Sequence, residues 1–235
     1  EITLIIYNAE GKQISVPRTD SIKAYAYRAL KNSTKGTELT LMADMLNYGA
    51  AAQTHFGYDK SNLVNAEMTD QYKSYATAED VTLANNQSKG EGYRSTTLIL
   101  KEAVQMNFNF YSEALGATSS DYSGCYAIVT YTYYKDNTQK EYRVEGKDFA
   151  TMTDNSGDKD AIADARVSVL GLPAANFKGI VSCVVYNSEG QEMAKCQDSI
   201  ASYLFRGIEN STTATEIALF KALAKYSAAA YENFT

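Results

Sequence analysis

Two hydrophobic periods alternate along this chain. From Ile2 to Tyr7 apolar side chains dominate a short run that ends at Asn8-Ala9-Glu10-Gly11, where glycine supplies the positive φ of a turn. The pattern predicts a strand, a turn and a second short strand to about Val16. The period then lengthens: Ile22, Tyr25, Ala26, Ala29 and Leu30 recur at helical spacing behind Asp20 or Ser21 as cap, and Asn32-Ser33-Thr34 closes the helix. Thr37, with Glu38 in the first turn, is expected to cap a second helix carrying Leu39, Met42, Leu46, Gly49, Ala50 and Gln53 on one stripe. Residues 59–92 are polar and irregular, with a short helix expected after Thr69 and a turn or hinge at Gly90-Glu91-Gly92.

From Thr96 the period becomes two. In VQMNFNFY, Met106, Phe108 and Phe110 share one face, while Gln105, Asn107, Asn109 and Tyr111 share the other, which predicts a half-buried antiparallel strand. YAIVTYTYY (Tyr126 to Tyr134) reads as another strand, with KEYRVEG returning from it after a turn at Asp136-Asn137. ARVSVLGL and KGIVSCVVY continue the pattern, giving about six short strands with polar turns, as in a sandwich-like sheet domain.

The C-terminal end rewrites the beginning. VVYNSEGQEMAK (Val184 to Lys195) matches IIYNAEGKQISV (Ile5 to Val16), and residues 198–234 match residues 20–56 at 16 of 37 positions. The run YGAAAQTHF at Tyr48 returns 178 positions later as YSAAAYENF at Tyr226. Its small side chains sit in the last turns of the second helix, where they admit close approach of a neighbour, and Tyr48 and Tyr226 are expected in alike surroundings. The fold class is therefore α+β: an antiparallel β-sandwich-like domain flanked by two homologous hairpin-plus-two-helix units. The chain divides into residues 1–58 (hairpin and helical hairpin), 59–92 (linker), 93–197 (sheet domain) and 198–235 (second helical hairpin).

Composition narrows the chemistry. Apolar residues make up 45% of the chain and charged ones 21%, a globular balance, and a net charge of −6 without a basic stripe argues against nucleic acid and against a polybasic membrane contact. No apolar run is long enough to span a bilayer, so no membrane insertion is expected. The opening residues carry no signal-peptide pattern, and the chain reads as an excised fragment or a mature form. Cys125, Cys183 and Cys196 allow at most one internal disulfide; Cys125 and Cys183 read as small buried hydrophobes. His55 is the single histidine, at a helix end, and its counterpart in the second copy is Asn233, so neither a catalytic triad nor a multi-histidine metal site is indicated. Carboxylates are abundant, but no spacing singles out a catalytic pair. DNSGDKDAIAD (Asp154 to Asp164) places oxygen ligands at alternate positions but breaks the calcium-loop pattern at its fourth and twelfth positions, and reads as a polar loop. No catalytic residue, metal ligand or cofactor is expected.

LNYGAAAQTHFGYDKSNLVNA (Leu46 to Ala66), STTLILKEAVQMNFNFY and VVYNSEGQEMAKCQDSIASYLFRGI resemble, in the same order, a repeated module of very large secreted or wall-attached proteins of gut-dwelling Gram-positive anaerobes. The module brings no catalytic residues to carry over. Some proteins of this kind resemble immunoglobulin-binding, superantigen-like surface proteins; others sit beside polysaccharide-degrading machinery. The resemblance implies an extracellular, secreted or cell-wall-attached chain.

What remains is a surface. With 19 tyrosines and no tryptophan, the chain is rich in a residue of interfaces and sheet faces. Asn107, Asn109 and Tyr111 on one strand, with Tyr131 and Tyr133 on the next, are the candidate partner-binding residues, forming a tyrosine-and-amide platform if their faces coincide; the competing reading packs Tyr131 and Tyr133 under the helices. The expectation is a non-catalytic adhesin module recognising a host protein, most specifically an immunoglobulin variable domain. A carbohydrate-binding module with a glycan ligand and a structural spacer are the alternatives.

Overall fold

The computed structural model describes residues 2–100, 104–152 and 162–235. In chain order the elements are β1 (Ile2–Leu4), β2 (Arg18–Asp20), α1 (Ile22–Asn32), α2 (Gly36–Phe56), α3 (Asp70–Lys73), β3 (Ser88–Lys89), β4 (Tyr93–Ile99), β5 (Gln105–Phe110), β6 (Cys125–Thr132), β7 (Gln139–Glu145), β8 (Ala150–Met152), β9 (Asp164–Val169), β10 (Ile180–Asn187), β11 (Glu192–Asp198), α4 (Ile200–Asn210) and α5 (Ala214–Phe234). The fold is α+β with antiparallel sheets. The chain packs as two units: Glu1–Val81 with Thr213–Phe234, and Thr82–Thr212 with Thr235. The helical unit takes its last helix from the far end of the sequence.

In the sheet unit, β4-β5-β9-β8 form a four-stranded sheet and β3-β11-β10-β6-β7 a five-stranded one, every pairing antiparallel. The central strands of each sheet bury an apolar face. Met106, Phe108 and Phe110 meet Ala165, Val167 and Val169 across β5 and β9. Ala127, Val129 and Tyr131 meet Val185, Cys183 and Val181 across β6 and β10. Burial of such side chains removes apolar area from water and stabilises the strand pairing.

β5 departs from a half-buried strand. Asn107 and Asn109 are fully buried, like Phe108 and Phe110 that alternate with them. The reason lies in β5's central place between β4 and β9, where longer or bonded neighbours cover both amides. Asn109 donates to Ser95 O and Oγ at 3.2 and 3.0 Å and accepts from Arg166 Nε at 3.0 Å; Asn107 donates to Thr97 Oγ1 at 3.2 Å and accepts from Gln105 Nε2 at 2.6 Å. Buried amides of this kind need such partners.

In the helical unit, Leu41, Met42, Leu46 and Ala50 of α2 and Leu219, Phe220, Leu223 and Ala224 of α5 are buried. Tyr48 and Tyr226 face each other directly, rings parallel within 3° and centroids 5.6 Å apart. At the helix ends the same pair of positions is used twice: Thr37 Oγ1 donates to Asn233 Oδ1 at 3.1 Å, and His55 Nδ1 lies 3.3 Å from Thr215 Oγ1. Positions 37 and 55 correspond to 215 and 233, so the α2–α5 contact has the pattern of a local two-fold. The glycine of the tyrosine–alanine run serves a different neighbour: a Cβ on Gly49 would sit 2.8 Å from Val64 Cγ2. Gln53 Oε1 accepts from Val64 N at 2.8 Å, and Tyr27 Oη donates to Val64 O at 3.1 Å, so the segment after α2 is clamped there.

Thr37 is not the cap of α2. The helix begins at Gly36 behind Lys35, with no side-chain cap, because the Thr37 hydroxyl is turned to Asn233 and Ser33 Oγ is bound to Glu38 Oε2 at 2.6 Å. The second strand of the first hairpin also falls later than Val16, at Arg18–Asp20.

The two hairpin-and-helix segments agree in bonding detail. Asn8 and Asn187 each close the hairpin turn with a side-chain oxygen, accepting from Lys12 N at 2.8 Å and Gln191 N at 2.9 Å, followed by Gly11 at φ 79° and Gly190 at φ 81°. Ser21 and Ser199 cap α1 and α4 through bonds from Ala24 N and Ser202 N, each 3.0 Å. Arg28 forks onto Asp20 and Arg206 onto Asp198, at 2.6 and 2.5 Å. α1 and α4 span 11 residues each, and α2 and α5 span 21 each.

Candidate interaction surface

The outer face of the five-stranded sheet carries the residues best suited to a partner. Along β6 and β10, buried positions alternate with half-buried ones. The half-buried set pairs across the sheet as Tyr126 with Tyr186, Ile128 with Val184, Thr130 with Ser182 and Thr132 with Ile180. β7 adds Glu145 opposite Tyr126 and Arg143 opposite Ile128. The Tyr126 and Tyr186 rings stack with centroids 5.2 Å apart and 19° between planes. The Arg143 guanidinium carbon stands 3.5 Å from the Tyr126 ring centroid. Glu145 holds that guanidinium in place, with Nε–Oε1 at 2.7 Å and Nη2–Oε2 at 3.3 Å, and the pairing keeps the Glu145 carboxyl below its usual pKa. Two stacked tyrosines under an arginine, beside three aliphatic side chains, make a pre-ordered patch of large, low-entropy contact groups.

The residues that the sequence pattern nominates fall in two sheets. Asn107 and Asn109 belong to the four-stranded sheet and are buried, so they hold Ser95, Thr97 and Arg166 in place and offer no surface. Tyr111 follows β5 and is 46% exposed, with the Arg94 guanidinium 6.0 Å from its ring centroid. Arg94 is itself ion-paired with Asp164, whose other oxygen accepts from Ser112 N at 2.8 Å. Tyr131 and Tyr133 do come together, ring centroids 4.9 Å apart, at the other sheet. Tyr131 lies on the buried face, where desolvation pushes its hydroxyl pKa up to about 12; Tyr133 has Lys140 Nζ 5.4 Å from its ring centroid. The five residues therefore do not share one face. Tyr126, Tyr186 and Arg143 escape the sequence reading because alternation assigns faces within a strand, while the β6–β10 and β6–β7 registers that bring them together are not written in any one strand.

A cavity of about 330 Å³ opens elsewhere in the sheet unit, lined by Gln87, Lys89, Tyr93, Arg94, Tyr203 and Arg206, among others. Gln87 Nε2 donates to Tyr93 Oη at 2.7 Å, and Tyr93 Oη lies 3.0 Å from Thr96 Oγ1. Arg206 is anchored on the fully buried Asp198 and donates to Ser202 Oγ at 2.7 Å. The wall thus presents two tyrosines, one amide and fixed guanidinium groups.

Other reactive groups are spent on packing. Cys183 and Cys196 sit opposite each other on β10 and β11, both buried and both free; burial drives their thiol pKa values far up. Cys125 is half-buried, where the sequence pattern places a buried residue, because it stands at the first position of β6. Among the described residues no three of His, Cys, Asp and Glu gather as a metal site. The oxygen-rich loop lies outside the described residues from Asp154 to Ala161. No helix among the described residues is long and apolar enough to cross a membrane. Comparison with protein-family models, with curated proteins and with solved structures gives no match to this chain.

Proposed function

We propose that the chain is a non-catalytic extracellular binding module, displayed in secreted or wall-attached form, that recognises a host protein through the outer face of its five-stranded sheet. The observation that carries this reading is the Tyr126–Tyr186 stack beneath Arg143, a cluster of the residue types that dominate binding energy in protein interfaces. The partner named by the sequence resemblance is an immunoglobulin variable domain, bound outside the antigen site. The architecture belongs to the same proposal: a β-sandwich flanked by one hairpin-and-two-helix unit present twice, supported by the matched turns, caps and ion pairs of the two segments. Binding of the purified chain to polyclonal Fab fragments, followed by interferometry, tests the function.

A second reading has its own observation. The cavity lined by Tyr93, Tyr203, Gln87, Lys89 and Arg206 offers stacking rings and fixed polar groups, as a glycan site would. A glycan array, with Tyr203→Ala as the control, separates this ligand class from a protein partner.

A further inference from the structure

The β1–β2 hairpin exposes what β10–β11 buries. Ile2, Leu4 and Ile6 are 78%, 59% and 49% exposed, whereas Val181, Cys183 and Val185 at the corresponding positions are 1%, 0% and 0% exposed. Ile22 of α1 is 74% exposed, and Ile200 of α4 only 3%. The correspondence holds in register. Ile2 pairs with Asp20 as Val181 pairs with Asp198, and the bridge between Tyr7 and Gln13 falls where Tyr186 meets Glu192. The same backbone arrangement thus presents its period-two apolar face to a core in one place and to solvent in the other. A two-stranded ribbon with unpaired edges and an open apolar face is an incomplete sheet.

The polar end of the hairpin is incomplete in the same way. In the sheet unit Asp198 is covered: Gln87 Nε2 donates to it at 3.1 Å, Ser199 Oγ donates to Asn86 Oδ1 at 3.0 Å, and Arg206 Nη1 donates to Asn85 Oδ1 at 3.2 Å. Asp20, Ser21 and Arg28 repeat the internal geometry of Asp198, Ser199 and Arg206, but the Asp20–Arg28 pair is half-exposed. A segment such as Asn85-Asn86-Gln87 running into β3 complements that pair in charge and hydrogen bonding, and β3 complements the hairpin edge that precedes it. Two positions depart: Ala24 stands where the sheet unit has Ser202, which removes the bonds that the Ser202 hydroxyl makes to Asn85 and Asn86, and Thr19 stands where it has Gln197, whose Nε2 donates to Asn86 O at 3.3 Å.

We propose that the apolar face of the β1–β2 hairpin, together with Ile22 and the Asp20–Arg28 pair, is the docking site for a second copy of the segment 82–179, whose β6 and β3 the hairpin joins as β10 and β11 join their own. A chain of such units in tandem then joins each sheet to the following helices through one shared hairpin. The inference rests on the correspondence of the two segments and is independent of any ligand: Fab binding and hairpin docking can each fail without the other.

The test is a tandem chain, residues 82–179 joined directly ahead of the full 235-residue sequence, compared with the 235-residue chain by amide hydrogen exchange. Amides of the Ile2–Ile22 segment are expected to exchange at least about 100-fold more slowly in the tandem chain. β10–β11, protected in both chains, report that the protein is folded. Leu4→Lys with Ile6→Lys is expected to restore fast exchange in the tandem chain and to leave the melting temperature of the 235-residue chain unchanged. Equal hairpin exchange in both chains, with β10–β11 protected, overturns the proposal. So does unfolding of the 235-residue chain by the lysine pair, which shows the face already buried, and so does dimerisation of the 235-residue chain through it, seen by sedimentation and abolished by Leu4→Lys.

Discussion

Asp44 shows how a single residue departs from the helical stripe around it. It stands at a core position of α2, 1% exposed, and its carboxylate accepts from Thr77 N at 3.1 and 3.3 Å and from Thr77 Oγ1 at 2.6 Å. Burial raises its pKa above the ordinary carboxylate value; the Thr77 bonds oppose that shift without cancelling it. A carboxyl whose folded pKa is raised binds its proton more readily in the native state, so its contribution to stability falls as pH rises from the unfolded to the folded pKa. Asp20 and Asp80, lowered by Arg28 and by Lys221, act in the opposite sense, and the stability they contribute is lost on acidification. Asp44→Asn removes only the first effect. Thermal unfolding of both proteins between about pH 7 and about pH 4 should show wild type gaining on the variant as pH falls. Parallel profiles would contradict the assignment. Nothing in the sequence marks Asp44 as buried, since its partner lies in an irregular segment and its counterpart in the second copy is Ala222.

The hairpins, helices and strands were largely legible at the level of elements. Asn8–Gly11 and Asn187–Gly190 declare their turns, the Asp-Ser pairs narrow the helix caps to two positions of which Ser21 and Ser199 are the ones used, and alternation locates β5, β6, β9 and β10, because all of these are decided by local backbone chemistry. What depends on neighbours was not legible. β5 looked half-buried because its amides are polar, and only the pairing with β4 and β9 buries them. The platform of Asn107, Asn109, Tyr111, Tyr131 and Tyr133 divided for the same reason: sheet membership is a property of the pairing. A Cβ on Gly146 would fall 1.8 Å from Tyr122 O and 2.5 Å from Cys125 O, both backbone atoms, so Gly146→Ala should cost at least about 1–3 kcal/mol in chemical denaturation; an unchanged midpoint would contradict this. Half-exposed Cys125 should react with a thiol reagent in the native protein, while Cys183 and Cys196 should react only on unfolding. Three equal native rates would show that the β10–β11 core is open.

Across the described residues, four arginines are held in ion pairs: Arg206 to Asp198, Arg94 to Asp164, Arg143 to Glu145 and Arg28 to Asp20. The proposed protein partner fits a chain of net charge −6 that presents a tyrosine and arginine patch on a sheet face. Binding through this patch is the proposed function. The measurement that tests it most directly is the affinity of the chain for polyclonal Fab fragments by interferometry, for wild type, Tyr126→Ala, Tyr186→Ala and Arg143→Ala, with Tyr111→Ala as a control on the other sheet. The account predicts saturable binding, weakened about tenfold or more by each of the first three substitutions and unaffected by the fourth. Absence of saturable binding at micromolar concentration, or equal affinity for all five proteins, would contradict it.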